Sequence, residues 1–229
     1  MKKPRRRQVV PTTAGRLLAS LLLLALPCAL AAETHILLDP GASEVEKHAA
    51  NELAADIRQT HSDEQVLIRT YSPGDPVPGT NAIMLGHAST HPWLSDPQNR
   101  TALPLLAEPL EPESFVLQGD RKTTVIAGAD DRGVLYGVYE FSEQVLGIDP
   151  LEYWTGRRPE QAAQLQIPEL AHREQAPVFK MRGYFDNDND HLANWRDRKL
   201  IVEFDTWKEM IDSLARLRYN YIDIHDLLG

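Results

Sequence analysis

The chain has 229 residues, which is enough for one large domain or for one domain and part of a second. Hydrophobic residues make up 42% and charged residues 25%, an ordinary globular composition that can build a core. The formal net charge is −9, and an acidic surface repels nucleic acid and anionic membranes. Composition therefore argues against those partners and favours a neutral or weakly charged substrate.

The first 31 residues have the pattern of a secretory signal peptide. Five basic residues within positions 2–7 precede an apolar run over residues 17–30, and Ala29 and Ala31 supply small residues for signal peptidase. The apolar run is shorter than the ~20 residues that a transmembrane helix needs. We predict cleavage near Ala31 and a secreted or periplasmic protein that has no membrane partner after cleavage.

Cys28, the only cysteine, lies in this segment. Pro27 stands where a lipoprotein motif needs a small residue, and the residues after Arg7 do not complete a twin-arginine motif. The mature chain would therefore have no disulfide. It would keep 18 of the 24 Lys and Arg residues against 33 acidic ones, a net charge of −15.

Residues 32–150 are predicted to form a small mixed α/β domain. The predicted strands are 34–38, 65–69, 82–85, 114–118 and 123–127, the last two as a hairpin. Ser43 and Glu46 form a capping box at the start of a first helix, whose apolar positions recur every four residues. Residues 87–112 have no clear period and are interpreted as a loop with room for one helical turn.

A second helix is predicted over residues 131–146, with Gly147 as its stop. Its predicted core stripe contains Leu135, Val138, Tyr139, Ser142, Val145 and Leu146. Gly133 and Gly137 each cost the helix about 1 kcal/mol relative to Ala. We therefore interpret them as packing residues that let the helix backbone approach the sheet.

Residues 151–177 are interpreted as a linker with one possible strand at residues 164–167. After it, residues 178–186 and 219–225 are strand-like, and Asp205 caps a helix between them. Strand, helix and strand make one βαβ unit. Because a parallel pair alone cannot bury both its faces, we predict that residues 178–229 begin a larger barrel that is incomplete here.

Two segments resemble known enzymes. Residues 126–139 are similar to the helix signature of the small α/β domain that precedes the barrel in hexosaminidases and α-glucuronidases. Residues 179–186 are similar to the first barrel strand of the same enzymes. Residues 187–195 and 214–221 resemble xylan α-glucuronidases more closely. The motifs follow one another in the family's order, and the resemblance covers roughly the whole mature chain.

The resemblance implies a TIM-type barrel whose chemistry lies at the carboxyl ends of its strands. Arg182 matches the hexosaminidase arginine that holds sugar hydroxyls, and strand alternation predicts Arg182, Tyr184 and Asp186 on one face. The sequence departs from the hexosaminidases after Asp186, where their Arg-His pair is missing. In both families the catalytic acids come from later strands than any present here.

The acidic run after this strand has three interpretations. Asp186, Asp188 and Asp190 have the spacing of a calcium loop, with Asp197 at its twelfth position. However, His191 stands where that loop needs Gly, and the final Glu is missing. A sugar-contacting loop that includes Asp186 and Asp188 is favoured, and a solvated turn is the remaining alternative.

The second strand also ends in polar residues. Tyr221, Asp223 and His225 share one face, and either bind sugar or form a hydrogen-bond network inside the barrel mouth. Trp195 is a candidate platform for stacking on a sugar ring. Trp207 lies on the helix stripe and is predicted to be core, whereas Tyr153 and Trp154 are predicted to pack between domains.

No metal or cofactor is predicted. His87 and His91 lack a second pair at metal-ligand spacing, and no phosphate loop, metalloprotease motif or serine elbow is present. The sequence therefore predicts the amino-terminal part of a glycoside hydrolase that acts on carbohydrate, α-glucuronidase-like rather than hexosaminidase-like, and inactive by itself. A non-catalytic carbohydrate-binding or accessory module is the alternative class.

Overall fold

The computed structural model describes residues 32–186 and 204–224, which form one six-stranded and one two-stranded sheet. The first sheet contains β1 (Glu33–Leu38), β2 (Gln65–Thr70), β3 (Ala82–His87), β4 (Phe115–Gly119), β5 (Thr123–Gly128) and β6 (Leu170–Glu174). Its strand order is β2-β1-β3-β5-β4-β6. β4 runs in the direction opposite to the other five strands, which are parallel to one another. The predicted mixed α/β fold is confirmed.

The first long helix, α1 (Glu44–Thr60), begins at the predicted capping box. The Ser43 hydroxyl accepts the Glu46 backbone N–H at 3.1 Å, and the Glu46 carboxylate accepts the Ser43 N–H at 2.7 Å. These bonds satisfy amide groups that the first helical turn leaves without partners. Ala49, Leu53 and Ile57 are fully buried, so the predicted apolar stripe faces the core.

The second long helix, α4 (Asp131–Leu146), ends as predicted at Gly147, whose φ of 70° is left-handed. A Cβ on Gly133 would lie 2.4 Å from the Ser114 carbonyl oxygen, and one on Gly137 would lie 2.9 Å from Ile126 Cγ2. Both glycines therefore act in packing, as predicted. The predicted stripe omitted Val134, Tyr136 and Phe141, which are also buried, because α4 touches both the sheet and α1.

Both faces of the six-stranded sheet are covered. Helices α1 and α4 pack on the face that includes Ile36, Ile83 and Ile126. The other face, with Met84 and Val116, is covered by the segment between β3 and β4. The sequence predicts a loop with room for one helical turn here, whereas the segment contains α2 (Pro92–Ser95), α3 (Pro97–Thr101) and a 3-10 turn (Pro104–Leu106). Its buried leucines, rather than helical periodicity, determine its path.

The segment interpreted as a linker requires a correction. The strand predicted at residues 164–167 is not formed, and β6 lies instead at Leu170–Glu174, where it pairs with β4. A short helix, α5 (Glu152–Thr155), also lies in this segment. Residues 170–174 therefore belong to the six-stranded sheet. The domain boundaries at residues 150 and 178 stay predictions.

The second sheet contains β7 (Gly183–Asp186) and β8 (Tyr221–Ile224), joined through α6 (Phe204–Arg216). The strands are parallel, which confirms the predicted βαβ unit, but both strands are shorter than predicted. Within residues 32–186 and 204–224, no helix is long and apolar enough to cross a membrane.

Candidate functional site

The predicted sugar-binding residues fall into two groups. Asp188, Trp195 and His225 lie outside the described residues, as do Asp190, His191, Asp197 and Asp226. The calcium-loop and stacking interpretations therefore stay predictions. Arg182, Asp186 and Asp223 lie within the described part of the chain.

Strands β7 and β8 bring Asp186 and Asp223 to the same edge. Phe185 pairs with Asp223 and Asp186 with Ile224, so both acidic residues lie near the carboxyl ends of neighbouring parallel strands. Adjacent strands are about 4.8 Å apart. The backbone thus places both positions at the carboxyl end of the unit, where barrel enzymes carry their chemistry. They lie on opposite faces of the sheet, because Asp186 alternates with Phe185, the partner of Asp223.

The two faces of this sheet differ. Tyr184 and Ile222 pack under α6 with Trp207, Met210 and Leu214. Tyr221 alternates with Ile222 and therefore lies on the opposite face, where its side chain is 45% exposed. A Cβ on Gly183 would lie 3.0 Å from Tyr221 Cδ1, so this glycine makes room for the ring. The face opposite α6, with Tyr221 and Asp223, is the candidate site.

Arg182 directly precedes β7, at the amino end of that strand. Its guanidinium donates to the Glu113 carboxylate at 2.5 Å, the Tyr136 hydroxyl at 3.3 Å and the Arg218 and Phe179 carbonyl oxygens at 2.7 and 2.8 Å. Four of its five N–H groups are therefore used within the chain. The structure places Arg182 in the contact between the βαβ unit and the first domain, and its sugar-binding role stays a prediction.

Glu113 is the centre of this contact. It accepts hydrogen bonds from Arg182, Arg132 and Asn220. Burial of the carboxylate acts to raise its pKa, but the hydrogen bonds from Arg182 and Arg132 outweigh burial and hold the pKa below its ordinary value. Glu113 therefore stays ionised and binds two arginines from different parts of the fold.

Two further arginines tie the βαβ unit to the first domain. Arg216 in α6 makes two 2.9 Å hydrogen bonds to Asp56 in α1, and its guanidinium lies over the Tyr139 ring at 4.7 Å from the centroid. Arg218 pairs with Glu140 and with Glu174. Sequence reasoning missed these pairs because the partners are separated by 44 to 160 residues.

An acidic cleft of 320 Å³ opens beside Arg216. Its carboxylates come from Glu52, Asp56, Asp149, Glu152, Glu209 and Asp212. Burial raises the pKa of Glu52, although the nearby Arg216 opposes this effect. The six carboxylates outnumber the two lining arginines, Arg158 and Arg216, so the cleft is negative overall and disfavours an anionic sugar such as a uronic acid.

An aromatic cluster completes the contact between the two parts. Tyr153, Trp207, Met210 and Leu214 are buried together, with Trp154 packed against them. The prediction that Trp207 is core is confirmed. Tyr153 and Trp154 pack against α6, and their predicted place between domains depends on the domain boundaries, which stay predictions. The indole N–H of Trp207 has no hydrogen-bond partner among the described residues.

One group of metal-ligating side chains lies in the described residues, but outside this site. It consists of Glu46, His87 and Asp131, at the edge of the six-stranded sheet. No sequence motif indicates it, because the three residues are 41 and 44 positions apart.

The sequence matches no protein-family model and no curated protein. The fold, however, is similar to solved glycoside hydrolases. A family GH115 4-O-methyl-α-glucuronidase with specificity for decorated arabinogalactans matches 82% of this chain, with a TM-score of 0.62 and 23% identity. A Streptomyces plicatus β-hexosaminidase and a Streptomyces coelicolor GH20 β-N-acetylhexosaminidase each match 82% at 17% identity, with TM-scores of 0.52 and 0.53.

The chain spans about a quarter of the length of these enzymes, 24% of the glucuronidase and 29% of each hexosaminidase. At these identities the likeness shows the fold, and function does not follow from fold alone. The chain therefore has a glycoside hydrolase-like α/β fold.

Proposed function

We propose that this chain is the amino-terminal part of a secreted glycoside hydrolase that cleaves O-glycosidic bonds in polysaccharides or oligosaccharides. One observation carries the proposal: the six-stranded domain and the following parallel βαβ unit together match a glucuronidase over 82% of this chain. The likeness thus includes the order of the two parts as well as the small domain.

The exposed apolar surface around β7 supports the existence of a larger barrel. Val178 is 91% exposed, Phe179 75% and Met181 70%. Phe185 in β7 and Phe204 at the start of α6 are exposed too. Large apolar side chains exposed in this number favour a surface that another protein element covers. In the proposed parent enzyme, later strands and helices of the barrel cover them.

In this proposal the first domain holds the start of the barrel in place. Arg182, Arg216 and Arg218 each cross from the βαβ unit to carboxylates of the first domain. The sugar would bind at the carboxyl ends of the barrel strands, where the proposed contact residues are Asp186, Asp188, Trp195, Asp223 and His225, with Arg182 at the strand's start. Asp223 and Tyr221 lie on the barrel-facing side in this arrangement, whereas Asp186 occupies a position on the α6 side and borders the site only as the last residue of β7.

Glycoside hydrolysis needs two carboxyl groups on either side of the scissile bond. The family resemblance assigns both to later strands, so we expect the 229-residue chain to be inactive alone. We favour an α-glucuronidase-like activity because the fold match to the glucuronidase is better than to the hexosaminidases. The missing Arg-His pair after Asp186 also disfavours an amino sugar. A β-N-acetylhexosaminidase-like activity is the second candidate.

The experiment is to sequence the gene past the codon for Gly229 and to express the whole reading frame. The product is assayed on glucuronic-acid-decorated oligosaccharides and, as the competing substrate, on a chromogenic N-acetyl-β-glucosaminide. Release of glucuronic acid supports the preferred activity, and release of N-acetylglucosamine supports the second candidate. A stop codon after Gly229, together with sugar binding by the chain, would favour the non-catalytic module instead.

Export has its own test. Amino-terminal sequencing of the protein recovered from the medium or periplasm should begin at or near residue 32. Recovery of the uncleaved chain from the cytoplasm would contradict the proposed secretion.

A further inference from the structure

Glu46, His87 and Asp131 come together at one edge of the six-stranded sheet. One ligand atom from each lies within 4.8 Å of the others, and His87 Nε2 is 3.0 Å from Asp131 Oδ1. Glu46 is only 3% exposed, whereas His87 and Asp131 are partly exposed. The group therefore has a fixed, buried member and two members that solvent can reach.

The sheet topology explains why they meet. Glu46 lies in the first turn of α1 after β1, His87 ends β3, and Asp131 begins α4 after β5. These three strands are parallel neighbours, so their carboxyl ends share one edge. The chain leaves β1 toward the face covered by α1 and leaves β3 toward the opposite face. Open α/β sheets bind ligands at the point where the connections from two neighbouring strands leave toward opposite faces of the sheet.

The charge balance favours a cation. Each helix amino terminus is equivalent to roughly half a positive charge, so the ends of α1 and α4 offset about one of the two carboxylate charges. About one negative charge of the two carboxylates is left uncompensated. The amide groups at these helix ends are already bound by Ser43, Glu46 and Asp130 side chains, which leaves little capacity to hold an anion.

The coordinating atoms are oriented for this role. Glu46 Oε1 accepts one hydrogen bond, from the His87 backbone N–H at 3.1 Å, and retains a second lone pair. A Cβ at Gly86 would lie 2.9 Å from Glu46 Oε1, so glycine lets the carboxylate approach the strand. Around a tetrahedral ion, ligand atoms are roughly 3.3 Å apart. The ligand atoms of the three side chains lie within 4.8 Å of one another. Small rotations of the partly exposed His87 and Asp131 side chains bring these atoms to the tetrahedral separation.

We propose that Glu46, His87 and Asp131 bind a divalent transition-metal ion, for which zinc is the representative. Imidazole with two carboxylates suits zinc better than magnesium or calcium, which prefer all-oxygen sites. The three side chains leave a fourth position for water. Zinc then displaces the hydrogen bond between His87 Nε2 and Asp131 Oδ1, an oxygen that also accepts a hydrogen bond from the Ser43 hydroxyl at 2.6 Å. The ion links α1, β3 and α4.

The test is calorimetric titration of the metal-stripped protein with zinc chloride, together with thermal unfolding. We expect one zinc per chain and a rise in Tm on the order of 5 °C at a hundredfold excess of zinc over Kd. His87→Gln and Asp131→Asn should each weaken zinc binding at least about tenfold. These residues are preferred to Glu46 because Glu46 also caps α1, and its removal would disturb folding.

His172→Gln is the matched control, because His172 also lies beside a carboxylate, 3.3 Å from Glu174, in the same sheet. It should leave zinc affinity unchanged. Absence of zinc binding, equal binding by His87→Gln, an equal loss in the control, or preferential binding of magnesium or calcium would each overturn the proposal. The measurement needs no glycosidase activity, so its outcome is independent of the proposed enzyme function.

Discussion

Arg216 shows how a single residue couples the two parts of this molecule. Its side chain is 15% exposed and that of Asp56 4%, and Ser142 donates a further hydrogen bond to Asp56 at 2.6 Å. A buried ion pair adds little net stability relative to an apolar pair, but removing one partner leaves the other charge without compensation. The chief role of the Arg216–Asp56 pair is therefore to fix how the βαβ unit attaches to the first domain.

Arg216→Ala should lower the free energy of unfolding by about 3–5 kcal/mol, because the buried Asp56 loses its counter-charge and is left with the Ser142 hydrogen bond. Lys47→Ala is the control, since Lys47 and Glu44 form an exposed pair that contributes at most about 1 kcal/mol. Urea unfolding followed by circular dichroism measures both. A loss below about 1 kcal/mol for Arg216→Ala would contradict a coupling role.

Glu113 gives a pH-dependent prediction. Its pKa is lower in the folded protein than its ordinary value because Arg182 and Arg132 outweigh the opposing effect of burial. The stabilisation by the ionised Glu113 carboxylate is therefore complete above the ordinary pKa of a glutamate. It is lost as the pH falls through the lowered pKa of Glu113 in the folded protein. Glu113→Gln should cost roughly 1–3 kcal/mol at pH 7.

The difference in unfolding free energy between the native protein and Glu113→Gln should shrink as the pH falls from 7 to about 3. Urea titrations at several pH values measure it. A difference that is constant with pH would mean that the Glu113 charge does not contribute, whatever the substitution does to packing.

At the scale of the element, the position of α4 depends on the close approach of its backbone to the hairpin of β4 and β5. A Cβ at Gly133 would meet the Ser114 carbonyl, and one at Gly128 would lie 2.1 Å from Val134 N. Backbone contacts of this kind cannot be relieved by a side-chain rotation. The hairpin of β4 and β5 and the start of α4 therefore fit together only with glycine at these points.

Gly133→Ala should destabilise the protein by about 1–3 kcal/mol, although alanine is the better helix former by about 1 kcal/mol. The matched control is Gln144→Ala, on the exposed face of the same helix, which should be nearly neutral. Thermal unfolding distinguishes them. Stabilisation by Gly133→Ala would show that helix propensity outweighs the contact with Ser114.

At the scale of the whole molecule, Val178, Phe179 and Met181 are large apolar residues that stay 91%, 75% and 70% exposed to solvent. We expect the chain to associate with increasing concentration and to bind a hydrophobic dye, because this apolar surface lacks a cover. Phe179→Ser should reduce both effects, while Ile68→Ser, at an isolated exposed position, should not. Sedimentation velocity and dye fluorescence provide the measurements. A monomer that binds no dye would contradict the proposed barrel continuation.

Much of the architecture was predictable from local sequence signals. Ser43 and Glu46 predicted the start of α1, and Gly147 predicted the end of α4. Two apolar runs on either side of a short turn segment predicted the hairpin of β4 and β5. The strand in residues 151–177 was misplaced by a few positions, since a short edge strand that pairs with β4 has no strong periodicity of its own. The parallel unit of β7 and β8 was correct in type but not in length.

The sequence by itself thus determined the long helices, most of the strands, their order and the likeness to glycosidases, because caps, turns and apolar periods act over a few residues. The tertiary structure alone decided which distant charges meet. Asp56 and Arg216 are 160 residues apart, and Glu46, His87 and Asp131 lie on three separate elements. Such contacts depend on strand order and helix packing, and electrostatic partners leave no periodic signal in the chain. For that reason the arginine contacts and the candidate metal site emerged only from the folded molecule.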